Sequence, residues 1–139
     1  MDIVRLGPGD EDLVAEAEYL FDDPIDASST KAFLRDQNHH LLMAYVDGSP
    51  AGFISAVETY HPDKKGPEVF LYELGVDEQY RRQGIASALI DALVDLSRDR
   101  KCRGIWVLTE LDNEPAIRTY EKADAEADDN LLMFTIDLS

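Results

Sequence analysis

The sequence predicts one α/β domain over residues 1–139, built on a mixed sheet. Three observations carry this. A chain of 139 residues with 45% hydrophobic content suits one core. Its first half contains a hairpin pattern, Leu41–Val46, Asp47-Gly48 and Ala51–Val57. Its second half alternates strand-like and helix-like segments without a repeat, low-complexity tract or linker.

In order, Ile3–Leu6 reads as a short strand closed by Gly7-Pro8-Gly9. Asp10 is placed to cap a helix whose apolar residues Leu13, Ala17, Leu20 and Phe21 recur at helical spacing, and Asp22-Asp23-Pro24 ends it. A second short helix starts at Ser29 or Thr30 and reaches Asp36. After the hairpin, Thr59–Pro67 is an exposed loop. Val69–Val76 is an apolar strand interrupted by Glu73. Ile85, Leu89, Leu93 and Leu96 form a helical stripe, with Ala86, Ala88 and Ala92 allowing close packing. Ile105–Leu108 is expected as a buried strand with Trp106 in the core, Pro115–Lys122 as a helix, and Leu131–Leu138 as a final strand.

Charge narrows the function. Twenty-nine acidic residues against 13 basic give a net charge of −16. Such a chain repels nucleic acid and anionic membrane surfaces and attracts cations. No apolar run approaches the roughly 20 residues that cross a bilayer. The start Met1-Asp2-Ile3-Val4-Arg5 is unlike a secretory signal, and one cysteine, Cys102, cannot form an internal disulfide. A reducing cytoplasm is the expected location.

Against this acidity, Arg81-Arg82-Gln83-Gly84-Ile85-Ala86-Ser87 stands out. It follows an apolar strand ending at Val76 and opens the Ala/Leu helix. The first N–H groups of a helix lack internal partners and favour anions. Gly84 lets the backbone approach a phosphate, and two arginines add formal charge. No Walker-type loop is present, and Gly7-Pro8-Gly9 lacks the third glycine of a dinucleotide fingerprint.

With Leu74-Gly75-Val76 before it and Asn113-Glu114-Pro115-Ala116-Ile117-Arg118-Thr119-Tyr120-Glu121-Lys122 after it, this segment resembles the GNAT superfamily of N-acetyltransferases. The resemblance implies a mostly antiparallel sheet flanked by about four helices, with a V-shaped splay between strands near 69–76 and 105–110. It implies acetyl-CoA as cosubstrate, with no metal. The pyrophosphate would lie on backbone groups of residues 82 to 87. The pantetheine arm would lie along Leu74, Gly75 and Val76, and Asn113, Ala116 and Tyr120 would complete the cofactor site. The resemblance also implies that Tyr120 would act as general acid toward the coenzyme sulfur and that the Val76 N–H would polarise the thioester carbonyl.

For the base, Glu110 follows an apolar strand where open α/β sheets place ligands, and Glu73 is a carboxylate inside an apolar strand. Either can receive an ammonium. The runs around Tyr72-Glu73-Leu74, Glu110 and Pro115–Tyr120, with the ending Phe134-Thr135-Ile136-Asp137, resemble the type I aminoglycoside 3-N-acetyltransferases. That likeness implies an aminoglycoside acceptor and, in some relatives, a homodimer. Asp22, Asp23, Glu73, Glu110, Asp112 and Asp129 are candidate contacts for its ammonium groups. A polyamine, small amine or peptide amine is the alternative acceptor, and a non-catalytic acyl-CoA sensor the alternative of another class. One departure is Lys122-Ala123-Asp124-Ala125, where the family often has Lys-x-Gly.

His39, His40 and His61 have no second ligand pair at metal spacing, so a loop or strand-start role is expected. Cys102 lies between Lys101 and Arg103, neighbours that can lower a thiol's pKa, yet no histidine is paired with it and it reads as incidental.

Overall fold

A computed structural model describes residues 1–139. Five strands form one sheet in the order β1-β2-β3-β4-β5, comprising β1 (Asp2–Leu6), β2 (His39–Val46), β3 (Ser49–Thr59), β4 (Glu68–Val76) and β5 (Ile105–Val107). The first three pairings are antiparallel and β4–β5 is parallel. The hairpin turn is Asp47-Gly48, as its sequence requires. The helices are α1 (Glu11–Glu16), α2 (Ala27–Arg35), α3 (Ile85–Asp99) and α4 (Glu114–Lys122). No helix is long and apolar enough to cross a membrane.

Strand alternation sorts the core into two layers. On one face, Leu42, Ala44, Ile54, Val69 and Leu71 pack against Ile85, Leu89, Ile90 and Leu93 of α3. On the other, Leu41, Met43 and Phe53 pack with Val14 and Ala17 of the α1 segment and Leu34 of α2. Each fully buried Leu, Ile, Val, Phe or Met side chain among these stabilises the fold by about 1.5–3 kcal/mol.

Several expectations are corrected. The helix through Leu13–Phe21 breaks at Ala17, and Glu18–Leu20 continues as a 3₁₀ turn. Asp10 precedes α1, but its carboxylate accepts from the Gly7 N–H, inside the preceding turn. The second helix begins earlier, at Ala27, because Asp26 caps it through the Ser29 N–H. Trp106 is 43% exposed and stacks on Phe70 on the open side of β5, so it is not core. Leu131–Leu138 forms no strand with the body of this chain and is exposed throughout. Cys102 packs at the edge of the α3-side core and touches Glu58. Burial and that carboxylate push its thiol pKa up, against the opposing charge of Arg100.

Candidate active site

Two irregularities in β4 build the site. The first is a bulge: Ser55 pairs with Glu73 but Ala56 pairs with Leu71, leaving Tyr72 as an extra residue. The bulge reverses the alternation. Val69 and Leu71 face α3 before it, and Leu74 and Val76 face α3 after it. Glu73 is therefore turned away from the α3 core, onto the face of α2 and the 3₁₀ turn. The second irregularity is the end of pairing. β5 follows β4 only through Val69–Ile105, Phe70–Trp106 and Leu71–Val107, whereas β4 runs on to Val76. Past Leu71, the β4 edge on that side has no strand partner, which is the splay expected between 69–76 and 105–110.

Glu73 sits between two openings. One, of about 230 Å³, is lined by Leu20, Asp22, Phe53, Tyr72, Glu73, Leu74 and Gly75. The other, of about 370 Å³, is more apolar and brings Phe33, His39, Phe70 and Tyr72 around Ser55 and Glu73. Burial raises the Glu73 pKa above the ordinary carboxylate value, and the charges of Asp22 and Asp23 push the same way. The Ser55 hydroxyl, donating at 3.3 Å, opposes them. Gly75 has a packing reason: a Cβ there would stand 2.8 Å from the Phe53 ring.

The α3 N-terminus opens beside the splay. Arg82 and Gly84 both have positive φ, 65° and 78°. Gly84 is the N-cap residue, no side chain caps the helix, and the first helical bond is Ala88 N–H to Gly84 O. The N–H groups of Ile85, Ala86 and Ser87 thus lack intrahelical partners. A Cβ on Gly84 would meet nothing within 4 Å. The glycine is required by its left-handed backbone and leaves open space above the helix end. Arg81 reaches Glu78 at 4.0 Å, and Arg82 has no carboxylate partner. This donor set fits a phosphorylated cosubstrate: free N–H groups, two arginines and room.

The remaining predicted residues separate. Tyr120 is half-buried on α4, packed against the α3-side core, and burial raises its phenol pKa. Glu110 is exposed in the turn after β5, where its carbonyl accepts from the Asn113 N–H. Asn113 spends its side chain capping α4 at the Ala116 N–H. Asp22 joins Glu73 at one opening, with Asp23 close enough to act on its charge; Asp112 and Asp129 are exposed and touch neither opening. Sequence reasoning missed Ser55, Phe33, Phe70 and Tyr72. Ser55 left a signal, being a lone hydroxyl in the apolar run Phe53–Val57. No three His, Cys, Asp or Glu side chains converge as metal ligands.

A free helix N-terminus beside a splayed strand is the arrangement expected from the sequence resemblance, and residues 9–124 match the model of the acetyltransferase (GNAT) family. The chain belongs to this family. Proteins of the family use acetyl-CoA. N-acetyltransferase 8 of Rattus norvegicus is 29% identical over 94 residues, covering 68% of this chain and 42% of that protein. The chain therefore spans less than half of that relative's length. An aminoglycoside acetyltransferase from an uncultured soil metagenomic sample superposes with a TM-score of 0.84 at 28% identity, covering 99% of this chain and 98% of that one. A second such enzyme from soil, solved with trehalose, superposes with a TM-score of 0.91 at 20% identity, covering 99% and 96%.

Proposed function

We propose that the chain transfers the acetyl group of acetyl-CoA to an amine of a cationic acceptor, an aminoglycoside, at its 3-amino group. The observation that carries this reading is Glu73. It is a carboxylate of raised pKa on the acceptor-side face, next to the opening between β4 and β5. The net charge of −16 and the aminoglycoside acetyltransferase at 28% identity support the acceptor class. Acetylation of an ammonium-bearing antibiotic removes one positive charge from it, so the expected biological consequence is resistance.

Acetyl-CoA, when bound, supplies an activated thioester. The free N–H groups of residues 85–87, with Arg81 and Arg82, hold its phosphates. Glu73, a better base than an ordinary carboxylate, binds the acceptor ammonium and takes its proton at a carboxylate oxygen, directly or through water. Tyr120 carries a phenol that is protonated at neutral pH, its pKa raised further by burial, so it can deliver a proton to the departing sulfur. The Val76 N–H polarises the carbonyl. Glu110 and Asp112, outside both openings, serve as outer contacts for further ammonium groups.

The test is thiol release from acetyl-CoA with a gentamicin-type aminoglycoside, spermidine or an alanine-terminated peptide as acceptor. The reading expects the aminoglycoside to give the highest kcat/KM and the product to be acetylated at the 3-amino group. Preference for spermidine or peptide reassigns the acceptor. Tight acetyl-CoA binding without turnover on any acceptor would make the chain a sensor.

A further inference from the structure

The two openings beside Glu73 share only Tyr72 and Glu73. Their other walls differ in chemistry. The smaller one carries Asp22, with Asp23 close enough to act on the Glu73 charge. The larger one is walled by the rings of Phe33 and Phe70 and has no carboxylate besides Glu73. Sites for drug-sized ligands span roughly 300–1,000 Å³. The first opening, about 230 Å³, falls short of that range, and the second, about 370 Å³, lies at its low end. An acceptor of several rings therefore needs both.

Tyr72 joins the two because of the bulge. As the extra residue of β4 it has no partner on β3, and it is 68% exposed. Its ring is nonetheless fixed in direction. It meets Phe70 edge-to-face at 5.4 Å, and Phe70 is itself stacked on Trp106 at 4.2 Å. Phe33, on α2, is held against the His39 ring at 5.0 Å. Rings held in place this way offer an apolar face at little ordering cost.

These walls suit one kind of molecule. A saturated, sugar-like ring carries hydroxyl and ammonium groups around its rim but presents C–H groups on its faces, which lie flat on aromatic rings. A linear polyamine has no such face.

We propose that the acceptor binds astride Glu73. One of its rings lies against Tyr72 and the Phe33–Phe70 wall, and an ammonium group other than the reacting one is held at Asp22. Tyr72, touched from both openings, is then a specificity-determining residue that selects ring-bearing polycations over linear ones. This placement rests on the reading of Glu73 as the acceptor's base.

The test titrates a gentamicin-type aminoglycoside and spermidine calorimetrically into the full chain with coenzyme A present, so that binding is read without turnover. KM and kcat are measured alongside, and thermal unfolding checks the fold of each variant. Tyr72→Leu keeps apolar bulk but no ring. It is expected to weaken aminoglycoside binding about 3–10-fold, with the loss in KM rather than in kcat. Tyr72→Phe keeps the ring face and is expected to restore binding. Asp22→Asn is expected to weaken binding about 2–5-fold at low salt and not at high salt, because an exposed charge is screened. The Tyr72→Leu loss is expected to persist in salt. Wild-type affinity in Tyr72→Leu, an equal loss in Tyr72→Phe, or tighter wild-type binding of spermidine than of the aminoglycoside would each overturn the proposal. Undiminished turnover by Glu73→Gln would instead overturn the base reading, and the affinities of the Tyr72 variants would still decide where the acceptor lies.

Discussion

Ser55 Oγ donates to Glu73 Oε1 at 3.3 Å across β3 and β4, where the extra residue Tyr72 bulges β4. The bulge decides what Glu73 can do. In an unbroken strand its carboxylate would lie under α3 among Ile85 and Leu89, where an unpaired charge is strongly disfavoured. Turned to the other face it is half-buried, held by one hydroxyl and raised in pKa by burial, Asp22 and Asp23.

Glu73→Gln therefore separates activity from stability. Loss of the base is expected to lower kcat by about 10²–10⁴ and flatten its rise with pH. A carboxyl whose folded pKa lies above its unfolded one contributes stability at low pH that is lost as pH rises through the folded value. The amide variant is thus expected to be as stable as wild type at pH 7 or more so. Thermal unfolding beside pH–rate profiles checks both. An unchanged profile would remove Glu73 as the base.

Tyr120→Phe removes one hydroxyl from a residue that also fills space beside the α3-side core. As a proton donor, its loss is expected to lower kcat about 10²-fold or more, with acetyl-CoA affinity nearly unchanged. Equal loss of both, measured by stopped-flow turnover and calorimetric binding, would make the residue structural.

His40 and Glu58 form a buried pair, Nε2 to Oε2 2.5 Å, with Arg5 on the other ring nitrogen and Arg100 on the same carboxylate. Glu58→Ala removes the acceptor from buried His40 Nε2 and from Arg100 and is expected to cost about 1–3 kcal/mol in chemical denaturation. Burial depresses the His40 pKa, with Arg5 and Arg100 acting in the same sense against the Glu58 bond. The unfolded histidine then binds a proton first as pH falls below about 6.5, so stability declines from there downward. Melting temperatures at pH 7.5 and 5.5 should show the decline, and His40→Gln should reduce it.

Much of the fold was legible because strand alternation, the α3 stripe and the Asp47-Gly48 turn are local signals. The cofactor segment was legible for the same reason: Arg81–Ser87 is continuous in sequence. The acceptor side was not. Phe33, Ser55 and Phe70 meet only through the packing of α2 on the sheet and the register of β3 and β4, and the Tyr72 bulge leaves no local mark. Leu131–Leu138 reads as a strand from its pattern, yet periodicity does not say which edge a strand joins.

Asp124 occupies the left-handed position of the α4 cap. Asp124→Gly relieves that backbone and is expected to stabilise the chain by about 0.5–1 kcal/mol. Denaturant midpoints at constant slope would show it, and a loss of stability would mean that the carboxylate is needed there.

Acetyl-CoA binding at the α3 N-terminus is tested most directly by calorimetric titration of wild type, Gly84→Asn and Gly84→Asp. Both substitutions place a similar side chain on the same left-handed backbone, and only one adds a negative charge. The site described here predicts weaker binding by Gly84→Asn and a further loss of at least about tenfold, or 1.4 kcal/mol, for Gly84→Asp. Wild-type affinity in Gly84→Asp would contradict it.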